Sequence, residues 1–304
     1  MSGFNPTAGR ASALMTEGEG HLSKWTLFSS SQKYEDAAEC FTKAGNMFKV
    51  GNMFMEAGDA YKKAADILGG DKVKSMHEAS SALLDAGNCY KKVSPPDAIN
   101  CYRQCITNWC EAGRFSQAAK IQKDIADMYE KDGNAAEAIE NYNQAAIFFD
   151  TENSKSQGNQ CQLKVAELCS AMLDPPDLAR ASEIYENQGR NSLDSPLVKY
   201  NAKNYFLACV FCHLAMGDTV AANIKLELFG GYDFTFRDSR EGKLCESLIT
   251  NCEAYDSDGF ANSCMEFDRV NKLDGWRTEM LVRIKRNISG AAGDGGGEEE
   301  FDLT

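Results

Sequence analysis

Small and aromatic residues alternate along this chain at the spacing of one helical turn. Asp97-Ala98-Ile99-Asn100-Cys101-Tyr102-Arg103-Gln104 is echoed by Glu137-Ala138-Ile139-Glu140-Asn141-Tyr142-Asn143-Gln144, which repeats the acid, the Ala-Ile pair, the tyrosine and the glutamine in register. A small residue followed four places on by an aromatic lies on the same side of a helix, one turn along. The same step recurs at Ala37/Phe41, Ala57/Tyr61, Ala86/Tyr90 and Ala181/Tyr185. Small residues let neighbouring helices approach, and the ring fills the gap beside them. A period of about 40 residues, one helical hairpin per repeat, is that of helix-pair solenoids. Ala98/Tyr102 and Ala138/Tyr142 are therefore expected to be buried packing pairs and not ligand residues.

From Tyr34 onward the pattern predicts helices near 34–48, 52–68, 73–92, 96–111, 115–131, 135–150, 157–173, 177–189 and 196–215. Gly113, Gly133 and Gly217 fall at the turns, where a residue in the left-handed conformation ends a helix. Residues 1–32 read as irregular, around one apolar knot at Trp25-Thr26-Leu27-Phe28. After Gly217 the pattern loosens, and Gly230-Gly231-Tyr232 reads as a loop. Helices follow near 238–254, 258–270 and 273–288. In the last of these Trp276, Met280, Ile284 and Ile288 recur every fourth residue, as expected of a cap that closes an open stack. The predicted fold is all-α: a superhelical solenoid of TPR-like helical hairpins with a C-terminal helical bundle. Its parts are an N-terminal segment (1–32), the solenoid (33–230), the bundle (231–289) and a flexible Gly-rich acidic tail (290–304).

Composition narrows the functional classes. Hydrophobic content is 43% and charged content 25%, ordinary for a soluble chain with a core to bury. The net charge is −13, and residues 241–304 carry over half of the imbalance. Nucleic-acid binding needs a basic footprint, so no nucleic-acid partner is expected. Twelve cysteines are scattered through helical patterns, where a free thiol behaves as a small hydrophobe. With no apolar leader at the start and no run long enough to span a bilayer, the expected compartment is the reducing cytoplasm.

Motifs for bond-making chemistry are few. Cys209-Val-Phe-Cys212-His213 spells the c-type haem attachment sequence, but it lies in the apolar run Tyr205–Met216, so buried thiols are the preferred reading. Only His21, His77 and His213 are present, and no second CxxC completes a zinc set. Asp256-Ser-Asp258-Gly259 has the spelling of a calcium loop. With Gly259 at its sixth position, Ala254 and Met265 fall where oxygen ligands are required, so a turn is expected. No phosphate-loop, dinucleotide or hydrolase motif occurs. The chain therefore reads as a binding protein, not an enzyme, with no cofactor or metal assigned.

Three features can bind. Trp25, Leu27 and Phe28, flanked by Lys24 and Lys33, could dip into a membrane interface, or staple the N-terminal segment to the first hairpin. Arg114, Lys120, Lys164, Lys199, Lys203 and Arg240 recur through the repeats and could meet an acidic partner; each alone could equally be a solvated charge. The tail ends in Glu298-Glu-Glu-Phe-Asp-Leu-Thr304, in which Phe301 and Leu303 stand among the acids.

Several segments together resemble one family. They include Ala44-Gly-Asn-Met-Phe-Lys49, Asp85-Ala-Gly-Asn88, Asp97-Ala-Ile-Asn-Cys101, Gly113-Arg-Phe115 with Ala118-Ala-Lys120, and Leu163-Lys-Val-Ala166. To these are added Asp194-Ser-Pro-Leu-Val-Lys-Tyr-Asn-Ala-Lys-Asn-Tyr-Phe206, Asp238-Ser-Arg-Glu241, and Leu273-Asp-Gly-Trp276 with Leu281-Val-Arg-Ile-Lys285. The chain is similar from about Tyr34 to Ser289 to the soluble NSF attachment proteins, closest to their α/β type.

That resemblance implies an adaptor that binds assembled SNARE complexes and recruits and stimulates the hexameric N-ethylmaleimide-sensitive fusion ATPase, which pulls the SNAREs apart. It assigns SNARE binding to Arg114, Lys120, Lys164, Lys199, Lys203 and Arg240, and membrane contact to Trp25, Leu27 and Phe28. ATPase stimulation falls to Asp302 and Leu303. Gln160 departs from the family, whose members carry a base there, and the Gly-rich stretch before the tail is also a departure. The implied location is cytoplasmic, peripheral on membranes. The alternative drawn from the repeats alone is a TPR-type co-chaperone that clamps a partner's C-terminal peptide.

Overall fold

The computed structural model describes residues 6–24 and 31–291, and among these the chain is all-α, with fourteen α-helices. It divides into two compact units, Met1–Asp132 with Gln144–Gly158, and Gly133–Asn143 with Asn159–Thr304. The first unit contains α1 (Pro6–Ser23), α2 (Gln32–Val50), α3 (Phe54–Gly69), α4 (Met76–Tyr90), α5 (Pro95–Glu111) and α6 (Phe115–Lys131). Each packs on the helix before it. Two helices, α7 (Ala135–Thr151) and α8 (Lys155–Ala171), have residues in both units. The second unit continues with α9 (Leu178–Leu193), a 3-10 turn (Lys199–Asn201), α10 (Ala202–Ala215), α11 (Thr219–Tyr232), α12 (Arg240–Glu253), α13 (Ser257–Asp268) and α14 (Gly275–Ala291).

In the first unit the core is built from one repeated contact. Phe41, Tyr61, Tyr90 and Tyr102 are buried, and each ring lies over a glycine of the preceding helix: Gly18, Gly45, Gly58 and Gly87 respectively. A β-carbon at Gly45 would come within 2.9 Å of the Tyr61 ring. The tyrosine hydroxyls then donate to the residue next to that glycine: Tyr61 to Asn46 (2.7 Å), Tyr90 to Asp59 (2.6 Å) and Tyr102 to Asn88 (2.9 Å). The ring supplies apolar area, the missing side chain supplies room, and the buried phenol keeps a partner. Ala98 and Tyr102 are fully buried, as are Ala138 and Tyr142, so both expected packing pairs are present. Gly113, Gly133 and Gly217 adopt positive φ of 69°, 76° and 78° at their turns, as expected.

The second unit is organised around α10, which packs on α9, α11, α12 and α14. Nearly every residue from Phe206 to Ala215 is buried, as required of a helix that is apolar all round. Phe206 stacks on Phe229 at 4.2 Å between centroids and meets Phe236 edge-on at 5.4 Å. From α14, Met280, Ile284 and Ile288 are buried. Trp276 Nε1 and Arg283 Nη1 reach Ser170 Oγ and its carbonyl oxygen, each at 2.8 Å, which ties α14 to the last turn of α8.

Two helices lie where none was expected. One is α1, within the stretch read as irregular: its inward side is Ala11, Leu14, Met15, Gly18 and Leu22, small or glycine at the closest points. The other is α11, which runs through Gly230 and Gly231 to Tyr232. Asp218 caps its start by accepting from Ala221 N at 2.8 Å. The Asp256–Gly259 stretch, expected to be a turn, is instead the start of α13, which Asp256 caps by accepting from Gly259 N at 2.8 Å.

Candidate protein-binding site

In the first unit, Arg114 follows the left-handed Gly113 and occupies the position before the first turn of α6. Its backbone N–H donates to Trp109 O at 2.7 Å, closing the α5–α6 turn, and its side chain is exposed. Lys120 sits between buried Ala118, Ala119 and Ile121, so the helix aims it at solvent. The nearby acids of α6 are already engaged: Asp124 pairs with Lys91 at 3.2 Å and Asp127 with Lys123 at 3.0 Å. Among the described residues neither Arg114 nor Lys120 makes an ion pair. They are two solvated cations on an acidic chain, with a further carboxylate, Glu152, accepting from Ser116 of α6 at 3.2 Å.

In the second unit the four predicted cations behave differently. Lys164, half-buried on α8, pairs with Glu167 of its own helix at 3.2 Å. Gln160, exposed one turn earlier, adds no charge to that position. Lys199 stands on the 3-10 turn with its ammonium 5.7 Å from the Tyr200 ring centre, beside exposed Leu197 and Val198. Lys203 opens α10 and places Nζ 3.1 Å from Glu241 Oε2. Glu241 is only 1% exposed, so the ammonium beside it offsets part of the cost of burying the carboxylate. Arg240 Nη1 donates to Asn271 Oδ1 (3.1 Å), whose Nδ2 donates to Glu241 Oε1 (3.2 Å).

Lys203 and Arg240 are thus brought together in one network that joins α10, the start of α12 and the segment after α13. Glu241 and Asn271 were missed in the sequence, where neither stands in a recognisable spacing to Lys203. A partial signal existed: Ser239 caps α12 by accepting from Gly242 N at 3.1 Å, and Glu241 in the first turn of a helix is favourably placed. Trp25, Leu27, Phe28, Asp302 and Leu303 lie outside the described residues.

The Cys-x-x-Cys-His stretch offers no accessible chemistry. Cys209 and Cys212 are fully buried in α10. Burial pushes the Cys209 thiol up to about 12 and the Cys212 thiol well above the usual range, so both stay protonated and unreactive. Burial, followed by the Lys225 ammonium, holds His213 below its ordinary value.

The comparison with known proteins agrees with the segments identified in the sequence. Residues 9–289 match the family described as soluble NSF attachment protein. The beta-soluble NSF attachment protein of Bos taurus is 38% identical over 88% of this chain and 89% of its own. The alpha-soluble NSF attachment protein of Vitis vinifera is 37% identical over 94% of this chain and 95% of its own. The vesicular-fusion protein SEC17 of Komagataella phaffii is 31% identical over 86% and 87%.

Proposed function

This chain belongs to the soluble NSF attachment protein family, and on that premise we propose that it is an adaptor in vesicle fusion. It binds assembled SNARE complexes and brings the hexameric N-ethylmaleimide-sensitive fusion ATPase to them. The observation that carries this reading on the chain's own residues is the set of exposed cations, Arg114 and Lys120 in one unit and Lys199 in the other, for which no carboxylate partner occurs among the described residues. Such groups can meet an acidic bundle without first breaking an internal pair, which favours fast, salt-sensitive association. Lys203, Arg240 and Lys164 add positive charge within the second unit while serving internal contacts. The family match over 281 residues, 9–289, favours this reading over the C-terminal-peptide clamp.

Trp25, Leu27 and Phe28 are assigned to membrane contact, and Asp302 and Leu303 to stimulation of the ATPase. No described helix is long and apolar enough to cross a membrane, which is compatible with a peripheral attachment. Hydrolysis of ATP is left to the partner, and the chain is assigned no bond-making step. The deciding experiment mixes the protein with an assembled SNARE complex, the ATPase and ATP, and follows SNARE release. Release that depends on the added protein is expected; equal release without it would end the proposal. Leu303→Ala should keep SNARE binding and lower stimulation of the ATPase.

A further inference from the structure

Two pairs of metal-ligating side chains face each other across α1 and α2, apart from the residues assigned to partner binding. Glu17 and His21 stand one turn apart on α1, and Asp36 and Cys40 stand one turn apart on α2. His21 Nε2 lies 4.0 Å from Glu17 Oε1, and His21 Nδ1 lies 4.0 Å from Asp36 Oδ2. Ligand atoms of Glu17, His21 and Cys40 all fall within 4.8 Å of one another. Cys40 is 8% exposed, whereas the Glu17 side chain is 60% exposed, so the group has a closed floor and an open side.

We propose that Glu17, His21 and Cys40 form a site for one divalent transition-metal ion, zinc being the best match, with Asp36 positioning the imidazole. Thiolate, imidazole and carboxylate together are the donor set of a borderline-soft ion and not of calcium or magnesium, which take oxygen ligands. Donors about 2.0–2.3 Å from a tetrahedral ion lie about 3.3–3.8 Å from each other. The side chains here therefore need to close in by about 1 Å, within the reach of rotamer changes.

The second carboxylate has a separate task. Asp36 Oδ1 accepts from Gln32 Nε2 at 2.9 Å, which leaves Oδ2 turned to His21 Nδ1. Closing that 4.0 Å gap on metal binding would let Nδ1–H donate to Asp36 and present the Nε2 lone pair on the side of Glu17. The open side leaves a fourth position for water. Binding replaces the Cys40 S–H bond with a sulfur–metal bond and releases the proton to solvent.

The charge around the group suits a cation. Glu39 is paired with Lys43 at 2.7 Å, so Glu17 and Asp36 are left as the acids that a cation would neutralise. An ion held here would clamp α1 to α2.

The test titrates the full chain, reduced and stripped of metal, with cobalt(II) and follows absorbance. One cobalt per chain, a sulfur-to-cobalt charge-transfer band and its displacement by zinc are expected. Because eleven other cysteines could supply sulfur, variants decide the location. Glu17→Gln, at an exposed position, and His21→Ala, at a half-buried one, should weaken binding at least tenfold with unchanged circular dichroism, and His77→Ala should leave it intact. Cys40→Ser should remove the charge-transfer band. Asp36→Asn should weaken binding by about 10–100-fold without moving the band, which a purely structural role would not do. No band in the folded wild type, or a band undiminished in either His21→Ala or Glu17→Gln, overturns the proposal.

Discussion

The ring of Tyr102 lies over Gly87 so closely that a β-carbon there would overlap it, while the Tyr102 hydroxyl donates to the neighbouring Asn88. Gly87→Ala is therefore expected to destabilise the first unit by about 1–3 kcal/mol, the usual cost of overpacking a filled core. Tyr102→Phe keeps the ring and should cost only about 1 kcal/mol, for the lost hydrogen bond. Chemical denaturation of both, and of Gly87→Ala in a Tyr102→Ala background, checks the assignment. In that background the alanine at 87 should cost little, because the two residues share one contact.

The same geometry sorts the glycines of α1. A β-carbon on Gly18 would sit 2.9 Å from Phe41 Cε1, whereas one on Gly20 meets nothing within 4 Å, and Gly20 has no positive φ. Gly20→Ala should stabilise α1 by up to about 1 kcal/mol, through helix propensity and a less free unfolded chain. Gly18→Ala should act in the opposite direction. Hydrogen exchange of the α1 amides measures both; equal effects at the two positions would contradict the packing described.

These contacts also show what was legible in the sequence. The Ala-x-x-x-Tyr step is local, so it placed α5 and α7 at 96–111 and 135–150 against the observed Pro95–Glu111 and Ala135–Thr151. The glycine beneath each ring belongs to a different helix, and finding it requires the register of the hairpin. Ala-Gly-Asn at 44–46 and 86–88 and Ala-Gly-Asp at 57–59 carried that register unrecognised. In α11 both faces are apolar: Ala222, Leu226 and Phe229 are buried, while Val220 and Ile224 are exposed. No amphipathic period survives, and the helix was missed. The basic residues were legible as charges, but which of them is committed to an internal carboxylate depends on pairings across tens of residues.

Lys203 is the clearest such case. Removing it leaves the Glu241 carboxylate, 1% exposed, without its counter-charge 3.1 Å away. Lys203→Ala should destabilise the second unit by about 1–3 kcal/mol, and Glu241→Gln added to it should recover part of the loss. Lys120→Ala and Lys199→Ala, at solvated positions, should change stability by less than about 0.5 kcal/mol. In a SNARE-binding assay all three should weaken association. Only the Lys203 variant should also lower the thermal midpoint, and binding loss without that shift would place Lys203 at the interface alone.

His213 gives the fold a dependence on pH. Both of its ring nitrogens are shielded from solvent and, among the described residues, have no hydrogen-bond partner. Burial, then the Lys225 ammonium, holds its pKa below 6.5, with Asp218 and Glu186 opposing more weakly. The folded chain therefore refuses a proton that the unfolded chain accepts. Stability contributed by neutral His213 is present above about pH 6.5 and falls as the pH drops from there toward the folded-state value, where the loss levels off. His213→Leu removes two unpaired nitrogens, so it should be neutral to stabilising at about pH 7.5. Its advantage over the wild type should widen on acidification to about pH 5.5. Urea denaturation of both proteins at the two pH values measures this. A constant difference between them would mean that His213 titrates in the folded chain as it does in the unfolded one.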